Sequence, residues 1–372
     1  MFYWFFPPRN FSANAPLVLW LQGGPGASGI QEGLLRVNGP YRIANGTLEE
    51  AAVSWNDNFA TVYVDQPIGT GFSYANAEYA SNMDQVAAML IDFFDAFYAA
   101  GIWPRANDLF LAGESYAGHY VPVTGTAILA ANSKRPAAMN IPLQGVAIGD
   151  GLTDPQTQVV TKPASAFYFG LVDESTRDAA QAEAEAAAAA CASGDFISAK
   201  AHRDAMEGLV LTASRVNAYD VRTFHKYDFG AEAQWLNASE TRAALGVPAG
   251  VFFGTPDAVA DALEGDVMRS YKSHIMPLLN LTRGVLLYQG QFDWKDGAVS
   301  NAAWVATLGI PGYAESARVV LERGGEPYGW LKNPAGPLFD AVLSSSGHLA
   351  PMDQPEAACD LISRFIRGQL AA

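Results

Sequence analysis

The sequence predicts an α/β fold, a mostly parallel central sheet flanked by helices with an inserted helical cap. Three observations carry that prediction. Short runs that are apolar throughout recur along the chain, bounded by Gly, Pro and Asp. Helical patterns lie between some of them, and strands without polar alternation are those of a sheet covered on both faces. A long middle stretch then holds no strand-like run at all before such runs resume near Arg283.

Taken in order, the opening Phe2-Tyr3-Trp4-Phe5-Phe6 reads as the middle of a strand, so chain is expected to precede it. Strand-like runs follow at Leu17–Leu21, 61–64, 108–112, 143–148, 284–288 and 339–343. Residues 83–98 place Val86, Met89, Leu90, Phe93, Phe94 and Phe97 at helical spacing. Residues 179–192 are a low-complexity stretch of Ala, Glu and Gln with strong helix propensity, read as an exposed cap helix. The expected organisation is a core of 1–153 and 272–372 interrupted by a cap of 154–271.

Bulk properties exclude some functions. A formal charge of −15 and an isoelectric point near 4.7 argue against nucleic acid as a partner. No apolar run reaches the roughly 18 residues of a membrane span. Asn-x-Ser/Thr sequons at Asn10, Asn45, Asn237 and Asn280 point towards a secretory route. The two cysteines, Cys191 and Cys359, lie far apart and are expected to be unpaired, buried thiols.

The chemistry centres on Gly113-Glu114-Ser115-Tyr116-Ala117-Gly118, which follows an apolar run and precedes a helix-like segment. A strand that turns sharply at a serine between small residues is the setting of an exposed nucleophile. A serine hydroxyl needs a base, and the base needs a third group to orient it. Of five histidines, His348 in Ser346-Gly347-His348-Leu349-Ala350-Pro351 lies in a loop at the carboxyl edge of the sheet, where ligand sites form. Asp293, just past the run 284–288, is the acid, with Asp296 as its competitor. The turn Gly23-Gly24-Pro25-Gly26 and the amide of Tyr116 are the expected donors to a developing oxyanion. The turn lacks the Lys-Ser/Thr ending and glycine spacing of a phosphate loop.

With these pieces in place the chain resembles the serine carboxypeptidases, the family of carboxypeptidase Y and cathepsin A. The resemblance rests on Leu19-Trp20-Leu21-Gln22-Gly23-Gly24-Pro25-Gly26, Ser54-Trp55-Asn56, Asp65-Gln66-Pro67-Ile68-Gly69-Thr70-Gly71-Phe72-Ser73-Tyr74 and Ile148-Gly149-Asp150-Gly151. It rests also on the serine motif and on Gly347-His348 with Pro351. Gln22 and Gln289-Gly290-Gln291-Phe292-Asp293 look most like the vitellogenic-like carboxypeptidase branch.

The resemblance implies an α/β-hydrolase fold and a triad of Ser115, Asp293 and His348, with the amides of Gly24 and Tyr116 as oxyanion hole. It also implies Gln22 and Glu114 as binders of the substrate's terminal carboxylate. A carboxyl must be protonated to donate to a carboxylate, so acid-shifted activity is expected. The implied substrates are peptide or protein C-termini, with no metal or cofactor. A secretory, vacuolar, lysosomal or extracellular location and a homodimer are compatible with the family. An acyltransferase on the same scaffold and a partner-stabilising homologue are the alternatives.

The chain departs from the family pattern at two site positions. Gln22 stands where Asn is usual, and Val37 stands where a glutamate usually shares a proton with the elbow glutamate. Loss of that like-charge neighbour is expected to let Glu114 ionise more easily unless burial dominates. Tyr74, Trp235 and Phe252 are candidate walls for the substrate side chains.

Overall fold

A computed structural model describes residues 1–74, 78–254, 257–332 and 336–370. Eleven strands are present among them, in chain order β1 Tyr3–Phe6, β2 Leu17–Leu21, β3 Tyr41–Ala44, β4 Thr47–Glu50, β5 Ala60–Val64 and β6 Leu109–Glu114. They continue with β7 Leu143–Gly149, β8 Gly284–Gly290, β9 Arg318–Arg323, β10 Glu326–Lys332 and β11 Leu338–Leu343. Nine form one sheet in the order β1-β5-β2-β6-β7-β8-β11-β10-β9. The run from β5 to β11 is parallel throughout. Antiparallel strands close both edges, β1 on β5 and the β10–β9 pair on β11.

The apolar strands bury both faces because side chains alternate across a sheet. Leu17, Leu19 and Leu21 join one hydrophobic cluster, whereas Val18 and Trp20 join the other. In β6, Leu109 and Leu111 face the first cluster, and Phe110 and Ala112 the second. Helix α1, Met83–Ala99, covers the first face with Val86, Leu90, Phe94 and Phe97, and is capped by the Asn82 side chain. The closing helix Pro355–Ile366 covers the other face with Leu361, Ile362 and Phe365.

Among the described residues between β7 and β8, every named element is helical. Two long helices, Glu174–Ser193 and Phe196–Ser214, form a hairpin that turns at Gly194 with φ 81°. The Ala-rich helix is exposed over most of its surface, as the sequence suggests, and buries a single stripe. Ala180, Ala184, Ala187 and Cys191 form a fully packed stripe, because alanines at every turn let helices approach closely. Cys191 and Cys359 are free and buried, as expected.

Two hairpins escape the apolar-run reading. The β9–β10 hairpin turns at Gly324-Gly325 and leaves Val319 and Val320 exposed on an edge strand. The β3–β4 hairpin turns at Asn45-Gly46, both with positive φ. No described helix is long and apolar enough to cross a membrane.

Candidate active site

Strand β6 ends at Glu114, the chain turns at Ser115, and helix α2, Ala117–Asn132, begins two residues later. Ser115 has φ 63°, a left-handed conformation that costs a non-glycine residue about 1–3 kcal/mol. Surrounding bonds hold it there: its amide donates to the Gly149 carbonyl, and its carbonyl accepts from Gly118 and Leu152. Small neighbours are a packing requirement. A Cβ on Gly113 would sit 2.4 Å from the Leu21 carbonyl oxygen and 2.6 Å from the Ala117 Cβ. A Cβ on Gly23 would sit 2.6 Å from the Tyr116 amide nitrogen, so the glycine turn lies directly against the elbow.

Asp293 and His348 follow the adjacent parallel strands β8 and β11, at the same sheet edge as Ser115. His348 Nδ1 lies 2.9 Å from Asp293 Oδ2, and both residues are buried. The Asp293 carboxylate also accepts the amides of Lys295 at 2.6 Å and Asp296 at 3.1 Å. Burial alone would push His348 towards its neutral form. The Asp293 carboxylate outweighs that, with smaller help from Asp296 and Glu114, and the net shift is upward. His348 Nε2, the nitrogen not engaged by Asp293, has no hydrogen-bond partner among the described residues. Ser115 and His348 share the wall of one cavity of about 770 Å³, together with Gln22 and Gly24.

The competitor Asp296 turns elsewhere, its Oδ1 4.0 Å from Lys162 Nζ, beside Glu207, which pairs with both the buried Lys162 and the half-buried Lys295. His119 is buried inside the molecule, 3.4 Å from Asp266 and against the Tyr116 ring. His202 pairs with Glu183, His274 with Thr126, and His225 is exposed.

Gln22 connects the second half of the site. Its Oε1 accepts from Trp20 Nε1 at 2.8 Å, which orients the amide. Its Nε2 donates to Glu114 Oε1 at 2.9 Å and to Glu32 Oε2 at 3.2 Å. Glu32 comes from the helical segment Gly29–Val37 and, unlike Glu114, lines the cavity. Burial raises Glu114 to about 8, opposed by Gln22 and His348 and reinforced by Glu32. Burial likewise raises Glu32 to about 7, with His348 and Gln22 opposing. The loss of a like-charge neighbour expected from Val37 therefore does not occur. Val37 is a core residue, and Glu32, five positions earlier, supplies the second carboxyl.

One further residue was not anticipated. Asp150 is fully buried, with φ 44°, and its Oδ1 accepts the Gly290 amide at 2.7 Å. It lies in one cluster with Asp293 and His348, their nearest polar atoms all within 4.8 Å, and burial with Asp293 beside it drives its ionisation well upward. The helical region supplies cavity walls through Leu211, Val216, Tyr219, Tyr227 and Phe229. Tyr74 and Phe252, expected as walls, are exposed outside the cavity, and Trp235 is not part of it either.

The sequence pattern of the serine carboxypeptidases matches residues 1–368, and the chain belongs to that family. Its relatives include serine carboxypeptidase-like 47 of Arabidopsis thaliana, 33% identical over all of this chain and 76% of that protein. The probable serine carboxypeptidase CPVL of Dictyostelium discoideum is 32% identical over 99% of this chain and 76% of its own. The venom serine carboxypeptidase of Apis mellifera is 33% identical over 98% of this chain and 80% of its own. The fold matches the prohormone-processing carboxypeptidase Kex1(Δ)p of Saccharomyces cerevisiae with a TM-score of 0.88. That match has 21% identity and covers 98% of this chain and 86% of the other. The protein is accordingly a serine-type carboxypeptidase with an α/β-hydrolase fold.

Proposed function

We propose that this enzyme removes C-terminal residues from peptides through an acyl-enzyme on Ser115, with the terminal carboxylate read by Gln22 and the Glu32–Glu114 pair. The observation that carries this reading is the convergence of a left-handed serine and an Asp-oriented histidine on one cavity whose wall also holds Gln22 and Glu32. Residues 154–271 act in it as the cap over a core of 1–153 and 272–372.

In the acylation step Ser115 Oγ attacks the scissile carbonyl carbon while its proton passes to His348 Nε2. The carbonyl oxygen becomes an oxyanion, held by the amides of Gly24 and Tyr116, an effect of about 3 kcal/mol per donor. The C–N bond then breaks, and His348 returns the proton to the departing amino group. Water attacks the ester carbonyl with His348 again as base, which releases the shortened acid and restores the serine hydroxyl. Asp293 holds the imidazole through Nδ1 and stabilises the imidazolium formed in each half.

The pH dependence has two opposing sides. His348 must be neutral to act as base, so its raised ionisation sets the acidic limb of kcat/KM and works against a strongly acidic optimum. Glu32 and Glu114 must hold protons to donate to a carboxylate, so binding weakens as pH rises through about 7 to 8.

The test is a mass measurement after rapid quenching with an ester of a blocked amino acid. An acyl adduct on the peptide containing Ser115, absent after His348→Ala, is the expected result. Turnover without any adduct, together with activity retained in Ser115→Ala, would reject the mechanism.

A further inference from the structure

The charge of the cavity is opposite to that of the molecule. The chain carries 38 acidic and 23 basic residues, yet its cavity wall holds Arg215, Lys226 and Lys295 against a single carboxyl, Glu32. That carboxyl is protonated over much of the range in which the enzyme is proposed to act. Cationic side chains in an otherwise acidic protein are usually taken up by neighbouring carboxylates, and here most are. Lys295 is held by Glu207 at 2.7 Å, and the nearby Arg222 is held by Asp220 at 2.8 Å.

Arg215 and Lys226 differ. Both are exposed, and neither has an ion pair, hydrogen-bonded side chain or ring contact among the described residues. Arg215 ends the helix Phe196–Ser214 in a left-handed conformation with φ 60°, and Lys226 lies in the segment that leads to Tyr227 and Phe229 of the wall. An unpaired cation left at the mouth of a cavity keeps its attraction for an incoming anion, and it concentrates anionic ligands there.

We propose that the cavity selects acidic peptide ends, with Arg215 and Lys226 receiving an Asp or Glu side chain near the scissile bond. The proposal rests on the carboxypeptidase reading above and adds the substrate class. The terminal carboxylate is common to every substrate and is read by Gln22 and the glutamate pair. The two cap cations therefore act on side-chain charge, and they discriminate Glu from its neutral isostere Gln. Their effect is electrostatic at an exposed site, so it weakens with salt.

The test compares peptides with Glu or Gln at the last, penultimate or antepenultimate position, at pH about 6, where a free glutamate is ionised. The ratio of kcat/KM for Glu over Gln is expected to reach about fivefold in at least one position, the scale of a pair of exposed contacts. That ratio falls towards one in Arg215→Ala/Lys226→Ala, returns in Arg215→Lys/Lys226→Arg, and shrinks at high salt. A ratio at or below one at all three positions, or a ratio that survives the double alanine variant, overturns the proposal. Binding of the same labelled peptides to Ser115→Ala, followed by fluorescence anisotropy, keeps the two readings apart. A folded enzyme that cleaves neither peptide rejects the carboxypeptidase reading, and the binding ratio then still decides the acidic preference.

Discussion

Two corners of one cavity use the same functional group in opposite ways. Around His348 the Asp293 carboxylate accepts two backbone amides and faces an imidazole whose protonated form it favours. Around Gln22 the carboxyls of Glu32 and Glu114 share one amide group, and burial pushes both upward. In the proposed mechanism the first corner orients a proton shuttle, and the second withholds charge so that it can donate to the substrate's carboxylate. Neighbours, not residue type, decide the role of each acid.

The sharpest way to break the first corner is to remove its nucleophile. Ser115→Ala is expected to lower kcat by about a millionfold while the cavity still binds peptide, measurable by steady-state kinetics and a peptide-binding titration. Asp293→Asn is expected to cost about 10⁴-fold in kcat, because the imidazole loses its orienting acceptor. Asp296→Asn should cost far less, since Asp296 faces Lys162. Equal losses at the two positions would mean that the acid has been assigned wrongly.

The second corner responds in KM. Glu32→Ala is expected to raise KM by about 10–100-fold, the scale of a hydrogen bond to a charged group. Glu32→Gln keeps a donor at every pH, so it should restore binding and flatten the decline of kcat/KM above pH about 7. A decline unchanged in Glu32→Gln would place the alkaline limb elsewhere.

The smallest effect expected is on stability. A carboxyl raised on folding binds its proton more tightly in the native state, so stability is lost as pH rises from its unfolded value to its folded one. Glu32, Glu114 and Asp65, raised to about 7, 8 and 6, all act in that sense. His348, raised as well, adds to it, whereas His119, kept neutral by burial, opposes it below its ordinary range. The melting temperature should therefore fall between pH about 5 and 8, and fall less in Glu114→Gln. A melting temperature that rises over this interval would contradict the assignment of the buried acids.

What the sequence made legible follows from the range of the interactions involved. Strands buried on both faces announce themselves as continuous apolar runs, and β2, β6, β7 and β8 lie where those runs predict. Ser115 is legible because its turn demands small neighbours within a few residues. Strand β9 is not, since it is an exposed edge with one buried residue, Leu321. Asn45-Gly46 is a strong hairpin signal that reads equally well as a glycosylation sequon. Glu32 and Asp150 escape for a different reason. Glu32 reaches Gln22 only through the path of the helical segment that carries it, and Asp150 nears Asp293 only because β7 and β8 are neighbours. Neither proximity leaves a mark on local sequence.

The most direct test is hydrolysis of one blocked dipeptide as its free acid and as its amide, across pH about 5 to 9. Strong preference for the free acid is expected, held at the lower end and lost as pH passes through about 7 to 8, where Glu32 and Glu114 give up their protons. Equal hydrolysis of acid and amide at every pH would contradict it.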